Sequence, residues 1–414
     1  MSAQLNAAGK STLKVAEARR LVLDSVLPIG GWETVPLRAG LDRVLLQDVV
    51  APFDVPAHDN SAMDGYALRA GDLAASGETP LPVVGAALAG RPFSGVVGRG
   101  QAARVMTGAV LPRGTDTVVA QEAVQAEGGR IVVPAGQKAG QNVRRAGEDL
   151  ARGRTAVPAG RRLGPAEIGL LASLGCAEVA VRRRLRVAFF STGDEIASIG
   201  RPLAPGEVYD SNRYTLHGAL TRLGADLIDM GVVGDDPAAL EQAFLQAADQ
   251  ADVVLTSGGV SVGEADFVRG LMARLGEVAF WKIDVKPGRP MAFGRLGDAW
   301  LFGLPGNPVA VLVTFYQIVL DGLLKLMGVE PLPLRPSFPV PCLSAIRKTP
   351  GRREFPRGLL YDDGGILTVK LAGPQGSGVL SSVADANCFL VLQEEQGDVA
   401  PGDLVDVQPF DGLI

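Results

Sequence analysis

A chain of 414 residues, 47% hydrophobic but only 5% aromatic, is long enough for roughly three domains and does not lack core-forming residues. Its formal net charge of −5 argues against a dedicated nucleic-acid binder and leaves a small molecule or a protein as the expected partner. Three widely spaced cysteines, Cys176, Cys342 and Cys388, form no CxxC pattern, so neither a disulfide framework nor a zinc cluster is expected, and a reducing cytoplasm fits.

The first twenty residues, MSAQLNAAGKSTLKVAEARR, carry no apolar leader. GKST imitates the end of a phosphate-binding loop, but the first glycine of GxxxxGK[ST] would fall at Gln4 and no strand precedes it. KVAEARRLVLDSVL places Val15, Ala18, Leu21, Val22 and Val26 near one helical face, and Pro28 with Gly30 and Gly31 stops the run. From Ala51, short Val-rich segments punctuated by Gly and Pro predict a small β domain. Helical character returns at PAEIGLLASLG, and RLRVAFFSTGDE then reads as an apolar strand ending in a glycine turn.

The next 140 residues or so alternate. SNRYTLHGALTRLG puts Leu216, Ala219, Leu220 and Leu223 on one face; ADLIDMGVV is a strand; DDPAALEQAFLQAA opens a helix with Asp236 as N-cap and Pro237 at the first position. VVLTSGG repeats strand then turn, and Asn307 with Pro308 opens the last helix. That helix begins the longest apolar stretch, but Gln317, Asp321 and Lys325 interrupt it, so no membrane span is expected. The fold class read from this order is multidomain α/β plus β. A central doubly wound α/β domain occupies 185–330, with a small β domain inserted at 51–149. A helical linker domain is formed by 1–50 and 150–184, and a C-terminal β domain by 331–414.

Chemistry is expected beyond the carboxyl ends of the α/β strands, where ligands bind in such sheets. Three of those ends carry acids: Asp194 and Glu195, Asp235 and Asp236, Glu264 and Asp266. Taken singly, each reads as a helix cap or first-turn acid; together, beside STG and SGG turns, they suggest a ligand. Ser257, Gly258 and Gly259 offer amides to an anion, and FWKIDVKPGRP supplies Lys282, Lys286 and Arg289, the two lysines sharing one face if the segment is a continuous strand. Amides and cations for phosphate oxygens, with carboxylates for a bridging divalent ion, point to magnesium, which takes oxygen ligands. With only His58 and His217 in the chain, a Ser-His-Asp triad and an HExxH metal site are not expected.

Outside this region, PAHDNSAMDGYALRAGD brackets Asn60 and Ser61 with Asp59 and Asp64 but fails the EF-hand pattern, and reads equally as an Asx-turn. GQNVRRAGEDLARG mixes Arg144 and Arg145 with Glu148 and Asp149 across Gly147, as a salt-bridged surface turn also would. TPGRREFPRG and GPQGSG add an arginine-bearing turn and a glycine loop near the C-terminus.

Together, DNSAMDGYA, MTGA, NVRRAGED, STGDE, TSGGVSVGEAD, FWKIDVKPGRP, GLPGNPV and QGS resemble, in order, the motifs of the molybdopterin molybdenumtransferase family, the MoeA type shared with the E domain of gephyrin. The resemblance implies insertion of molybdate into adenylylated molybdopterin with magnesium, releasing AMP and molybdenum cofactor. Carried over by motif, it implies roles for Asp64, Thr107 and Asp149 on the β-domain side, and for Glu195, Asp235, Asp266, Lys282 and Lys286 on the α/β side. Arg352 and Ser377 match C-terminal motif positions. Asp194, Glu195, Asp235 and Asp266 are the expected magnesium ligands. A cleft shared between subunits of a homodimer is implied, with transient contact to the upstream adenylyltransferase and to acceptor molybdoenzymes, and no nucleic acid or membrane.

Two departures from the family pattern stand out: Ala146 interrupts what is often a longer basic run, and Arg289 sits where KPGKP is common, keeping the charge. The nearest alternative is the adenylyltransferase that shares the α/β domain type, whose loop typically reads SGGTG; a gephyrin-like scaffold is a second, lacking here the long linker and appended enzyme domain.

Overall fold

The computed structural model describes residues 12–259, Arg274 and 276–410. Helix α1 (Val15–Ser25) buries Val15, Ala18 and Val22, the apolar stripe expected, and leads to an antiparallel pair in which Trp32–Pro36 runs against Glu178–Arg182. Helix α2 (Pro165–Ser173) starts on its proline and packs Leu171 with Val35, Leu45, Leu163, Val179 and Val181. Segments on either side of the β insertion therefore share one small core.

Between them, a six-stranded sheet runs in the order Thr117–Ala120, Gly65–Leu68, Ala102–Val105, Glu78–Ala87, Arg130–Pro134, Gln125–Glu127. The alternation in GYAL divides its two faces: Tyr66 and Leu68 pack with Leu81, Val119 and Ile131, while Ala67 packs with Val105 and Val118. Gly65 lets the strands close, because a Cβ there would lie 2.1 Å from the Val119 carbonyl oxygen.

The central domain has a six-stranded mixed sheet built from β1 (Arg186–Thr192), β2 (Asp226–Val233), β3 (Val253–Ser257), β4 (Gly276–Lys282), β5 (Pro290–Leu296) and β6 (Ala299–Leu304), in the order β2-β1-β3-β6-β5-β4. The first four are mutually parallel, and β5 and β4 add antiparallel. Helix α3 (Ser211–Leu223) lies on the face with α1, and α4 (Pro237–Gln250) on the other. Successive residues of β1 serve both cores: Val187 and Phe189 face the first, Ala188 and Phe190 the second. Burial on both faces is why this strand reads as an unbroken apolar run. Each such phenylalanine contributes roughly 1.5–3 kcal/mol by leaving water.

The last helical run, α5 (Pro308–Leu326), contains a π-helical turn at Phe315–Val319 and is apolar and long enough by composition to cross a bilayer, yet 83% of it is buried inside the protein. Its three polar interruptions each find a partner. Gln317 Nε2 donates to Gln408 Oε1 at 2.8 Å, Lys325 Nζ donates to Leu23 O at 2.5 Å, and the fully buried Asp321 carboxylate accepts from both Arg19 and Arg335. This core helix thereby ties α1 and the following linker to the sheet. A five-stranded antiparallel sheet completes the chain, in the order Phe338–Pro341, Leu404–Pro409, Cys388–Val391, Arg357–Asp363, Ile366–Leu371. Cys342 and Cys388 are free thiols in its core; burial pushes the Cys388 thiol up to about 12, so it acts as a small apolar side chain.

One expectation about the strands fails. The segment from Phe280 to Lys286 is not one continuous strand: β4 ends at Lys282, and Val285–Lys286 pairs in parallel with Arg353–Glu354 of the C-terminal domain. Between them Ile283 is buried and bridged to Leu13, and this kink separates the two lysines.

Candidate active-site cleft

Strands β1, β3 and β6 end side by side at Ser191–Thr192, Ser257 and Leu304, where their carboxyl ends open into a cleft of about 970 Å³. The amino ends of α3 and α5 line it with these strand ends, and residues 286–290, paired beside Arg353–Glu354, together with Arg352 and residues 375–378 of the C-terminal domain, complete the lining. A second cavity, about 790 Å³, lies between α5 and the 330–336 linker and includes none of the candidate residues.

At the end of β3, Gly258 and Gly259 have φ of +92° and +68°, and a Cβ on Gly258 would meet the Thr192 carbonyl oxygen at 2.5 Å. The backbone closes there only with glycine. Both glycines line the cleft, but the expectation that both amides are free is corrected: Gly258 N–H donates to Leu304 O at 3.2 Å, continuing the β3–β6 ladder. Ser257 Oγ accepts from Asn212 Nδ2 at 2.7 Å, and the same amide donates to Gly306 O at 2.6 Å. Asn212 thus clamps two strand ends from the first turn of α3. Its Oδ1, like Thr192 Oγ1, is buried with no hydrogen-bond partner among the described residues. Both residues border the cleft.

The acids divide. Glu195 lines the cleft. Asp194 and Asp235 instead exchange bonds at its margin, Asp235 N–H donating to Asp194 Oδ1 at 3.0 Å and Asp194 N–H to Asp235 Oδ2 at 3.3 Å, which ties the ends of β1 and β2. Asp236 caps α4 by accepting from Ala239 N–H at 2.8 Å. Glu264 and Asp266 lie outside the described residues. Among the described residues, no three Asp, Glu, His or Cys side chains gather as a metal site.

The cations are better placed. Lys286, Arg289 and Arg352 line the cleft, Lys286 Nζ lying 3.0 Å from the buried Glu354 carboxylate, whereas the two arginines have no carboxylate partner among the described residues. Ser377 lines the same cleft. Lys282 does not reach the cleft lining, because of the kink at Ile283.

Asp64, Thr107 and Asp149 stand on the inserted β domain and do not line this cleft. Asp64 Oδ1 accepts from Thr107 N–H at 2.7 Å and from Thr107 Oγ1 at 2.8 Å, and these bonds hold its carboxyl below the usual range. Nearby, the Ala146 amide donates to Asp59 Oδ1 at 2.8 Å and Arg145 Nη1 to Asp59 Oδ2 at 2.6 Å. The Ala146 departure is therefore neutral to this contact, which uses backbone. Asp149 is exposed, and its N–H donates to Val55 O at 3.0 Å.

Residues 191, 192, 210 and 212 line the cleft without having been singled out from sequence, and Asn307, expected only as a helix start, lines it too. The buried Asp210 caps α3 through Arg213 N–H at 3.1 Å and accepts from Ser191 Oγ at 2.8 Å. An aspartate followed by Ser-Asn at a helix start is a capping signal that could have pointed to 210 and 212. Asn307 makes no side-chain cap bond, which leaves its amide at the cleft.

Family models match three consecutive segments: the MoeA N-terminal region (domain I and II) over 13–175, a probable molybdopterin binding domain over 188–325, and the MoeA C-terminal region (domain IV) over 339–410. The chain is 43% identical over 404 residues to the molybdopterin molybdenumtransferase of Haemophilus influenzae, covering 97% of this chain and 100% of that relative. It is 40% identical over 387 residues to molybdopterin molybdenumtransferase 2 of Mycobacterium tuberculosis, covering 90% and 94%. Among solved structures, a molybdopterin biosynthesis MoeA protein from Pyrococcus horikoshii OT3 superposes with a TM-score of 0.82 at 30% identity, covering 96% of this chain and 100% of that one. The three-segment order, the shared fold and identity along nearly the whole length agree: the chain belongs to the MoeA family of molybdopterin molybdenumtransferases.

Proposed function

We propose that this protein is a transferase of molybdenum cofactor biosynthesis that inserts molybdate into adenylylated molybdopterin, releasing AMP and the finished cofactor. One observation carries the reading: a single cleft joins a glycine turn and hydroxyls, in the segment matched by the molybdopterin-binding model, to a basic lining of Lys286 and Arg289 from that segment and Arg352 from the C-terminal domain. The two regions suit two anions. Ser257 and Asn307 favour the phosphates of a nucleotide through their side chains at the cleft floor, whereas the first turn of α5 adds little, because Pro308 has no N–H and Val309 N–H is taken by Ser377 O. Arg289, Arg352 and Ser377 favour a separate oxyanion, with guanidinium forks able to donate in pairs.

Magnesium belongs to this proposal as a bound helper that would offset phosphate charge. Glu195 offers a carboxylate at the cleft, and Asp194 and Asp235 each use only one oxygen in their exchange. Among the described residues these do not by themselves make a three-ligand site, so substrate oxygens and Asp266 are assigned the remainder.

The positions of Asp64, Thr107 and Asp149 away from their own cleft support a homodimer in which they act on the partner's substrate. The three free cysteines fit a cytoplasmic setting. Brief contacts with the enzyme that adenylylates molybdopterin and with acceptor molybdoenzymes follow from the chemistry, because both intermediates are passed between proteins. Incubation with adenylylated molybdopterin, magnesium and molybdate, with AMP measured by chromatography, tests the reading. AMP release that requires all three is expected. Full release in chelator removes the magnesium assignment, and consumption of ATP with bare molybdopterin would replace the reading by adenylyl transfer.

A further inference from the structure

Arg357 is among the most buried large side chains of the protein, 1% exposed, and no carboxylate neutralises it among the described residues. Burial alone pulls its guanidinium down to about 10, still charged at neutral pH. An unpaired buried cation is costly unless its donors are satisfied otherwise. Here they are satisfied by carbonyls of one loop. Nη1 donates to Gln375 O at 3.3 Å, and Nη2 to Pro374 O at 3.1 Å and Gly376 O at 3.0 Å, while Nε donates to Ser382 Oγ at 3.0 Å. Gln375 returns the hold, its Oε1 accepting from Arg357 N–H at 2.8 Å and its Nε2 donating to Arg357 O at 3.1 Å. The next carbonyl, Ser377 O, accepts from Val309 N–H at 3.1 Å, which fixes the loop to the start of α5.

Three consecutive carbonyls turned toward one guanidinium have a geometric consequence. In a trans peptide the C=O and the following N–H are antiparallel, so the amides of Gln375, Gly376 and Ser377 point away from Arg357. None of the three N–H groups donates to an acceptor among the described residues. Gln375, Gly376 and Ser377 line the cleft, as do Arg352 and Arg289, whereas Arg357 does not. Successive free amides in such a turn form an anion-binding concavity.

We propose that Arg357 is a positioning residue for the oxyanion subsite: by drawing the 374–376 carbonyls inward, it turns the loop amides outward to receive the tetrahedral oxyanion substrate. It touches no substrate atom. This rests on the reading of the cleft given above, and it adds a residue whose contribution acts entirely through backbone orientation. Lysine at 357 keeps the charge but cannot span three carbonyls as a planar fork does; glutamine has neither the charge nor the reach.

The test uses the full-length protein with sodium molybdate as probe, comparing wild type with Arg357→Lys and Arg357→Gln. Hydrogen exchange of peptides spanning 373–379 is measured with and without molybdate, and the molybdate dissociation constant by equilibrium dialysis. Wild type is expected to show molybdate-dependent protection there, and Arg357→Lys to lose it with about 10-fold weaker binding, as loss of a group orienting a site typically gives. In turnover, the KM for molybdate should rise by that factor while the KM for adenylylated molybdopterin and kcat hold within about twofold, a split that loss of folded protein does not produce. If Arg357→Gln fails to fold, Arg357→Lys decides alone, with Ser382→Ala as a milder loosening of the same guanidinium. Equal molybdate affinity and protection in folded Arg357→Lys overturns this inference alone. Absence of molybdate binding in the wild type, with or without substrate, overturns the proposed function together with it.

Discussion

Replacing Asn212 should expose how the cleft floor is held. Its side chain, 8% exposed as a residue, donates from one amide nitrogen to Ser257 Oγ at 2.7 Å and to Gly306 O at 2.6 Å. Asn212→Ala leaves both acceptors without that donor in a site from which the protein excludes most water. A buried acceptor left unpaired costs roughly 1–3 kcal/mol, so two would cost about 2–6. The lower part of that range applies, because Ser257 Oγ keeps a 3.4 Å contact to Pro305 O and the Gly306 carbonyl lies beside the open cleft. We expect destabilisation of the central domain by about 2–3 kcal/mol. Asn212→Asp should be worse at neutral pH, since it sets a carboxylate against the Gly306 carbonyl in place of a donor, and should improve as that carboxylate is protonated at lower pH. Urea denaturation followed by the fluorescence of Trp300, buried on β6 and stacked on Phe293, reads this domain. AMP release by the folded fraction should also fall. An Asn212→Ala protein within about 0.5 kcal/mol of wild type, the range of surface substitutions, and with unchanged turnover would refute the clamp.

Gly258→Ala places a Cβ 2.5 Å from the Thr192 carbonyl oxygen at a φ of +92°, and should cost about 2–4 kcal/mol by combined strain and overlap, measured in the same denaturation; a neutral result would deny the close approach. Asp252 is pushed up by burial, but the paired 2.7 Å bonds from Arg183 and the Arg186 amide outweigh this and leave its pKa depressed. Its stabilisation is therefore full above the unfolded value near 4 and lost as pH falls through the lower folded value, so Asp252→Asn should be about 2 kcal/mol less stable at pH 7, with the difference shrinking as the pH falls below the unfolded value. A pH-independent difference would contradict that assignment. In the proposed homodimer, Lys286→Ala and Asp64→Ala should each abolish activity, and refolding them together should restore about a quarter of wild-type AMP release, half the dimers being mixed with one intact cleft each. No recovery in verified mixed dimers would place both residues in one chain's site.

Local chemistry made much of this protein legible before any fold was known. The stripe of Val15, Ala18 and Val22, Pro237 after Asp236, and Pro308 after Asn307 start or face helices for reasons contained within a turn or two of chain, and all three helices are present. The apolar strand 186–192 and the positive-φ Gly258 and Gly259 were equally local. Candidates with a nearby strand end or turn, such as Glu195, Ser257, Arg289 and Arg352, came together at the cleft. What failed depended on partners remote in sequence. Lys282 and Lys286 obey a two-residue alternation only if the strand continues, and it breaks because Val285 and Lys286 pair with Arg353 and Glu354 of another domain. The Gly258 amide was claimed by Leu304, 46 positions away, and Asp194 by Asp235, because parallel neighbours are set by sheet order. Asn212 and Arg357 carry no signal as single letters. Asn212 matters because β3 and β6 end beside α3, and Arg357 because a loop 17 to 19 residues further along lays its carbonyls around it. Periodicity, caps and turns are fixed by neighbours along the chain, whereas the pairing of a buried polar group is fixed by whatever the fold brings within about 3 Å of it.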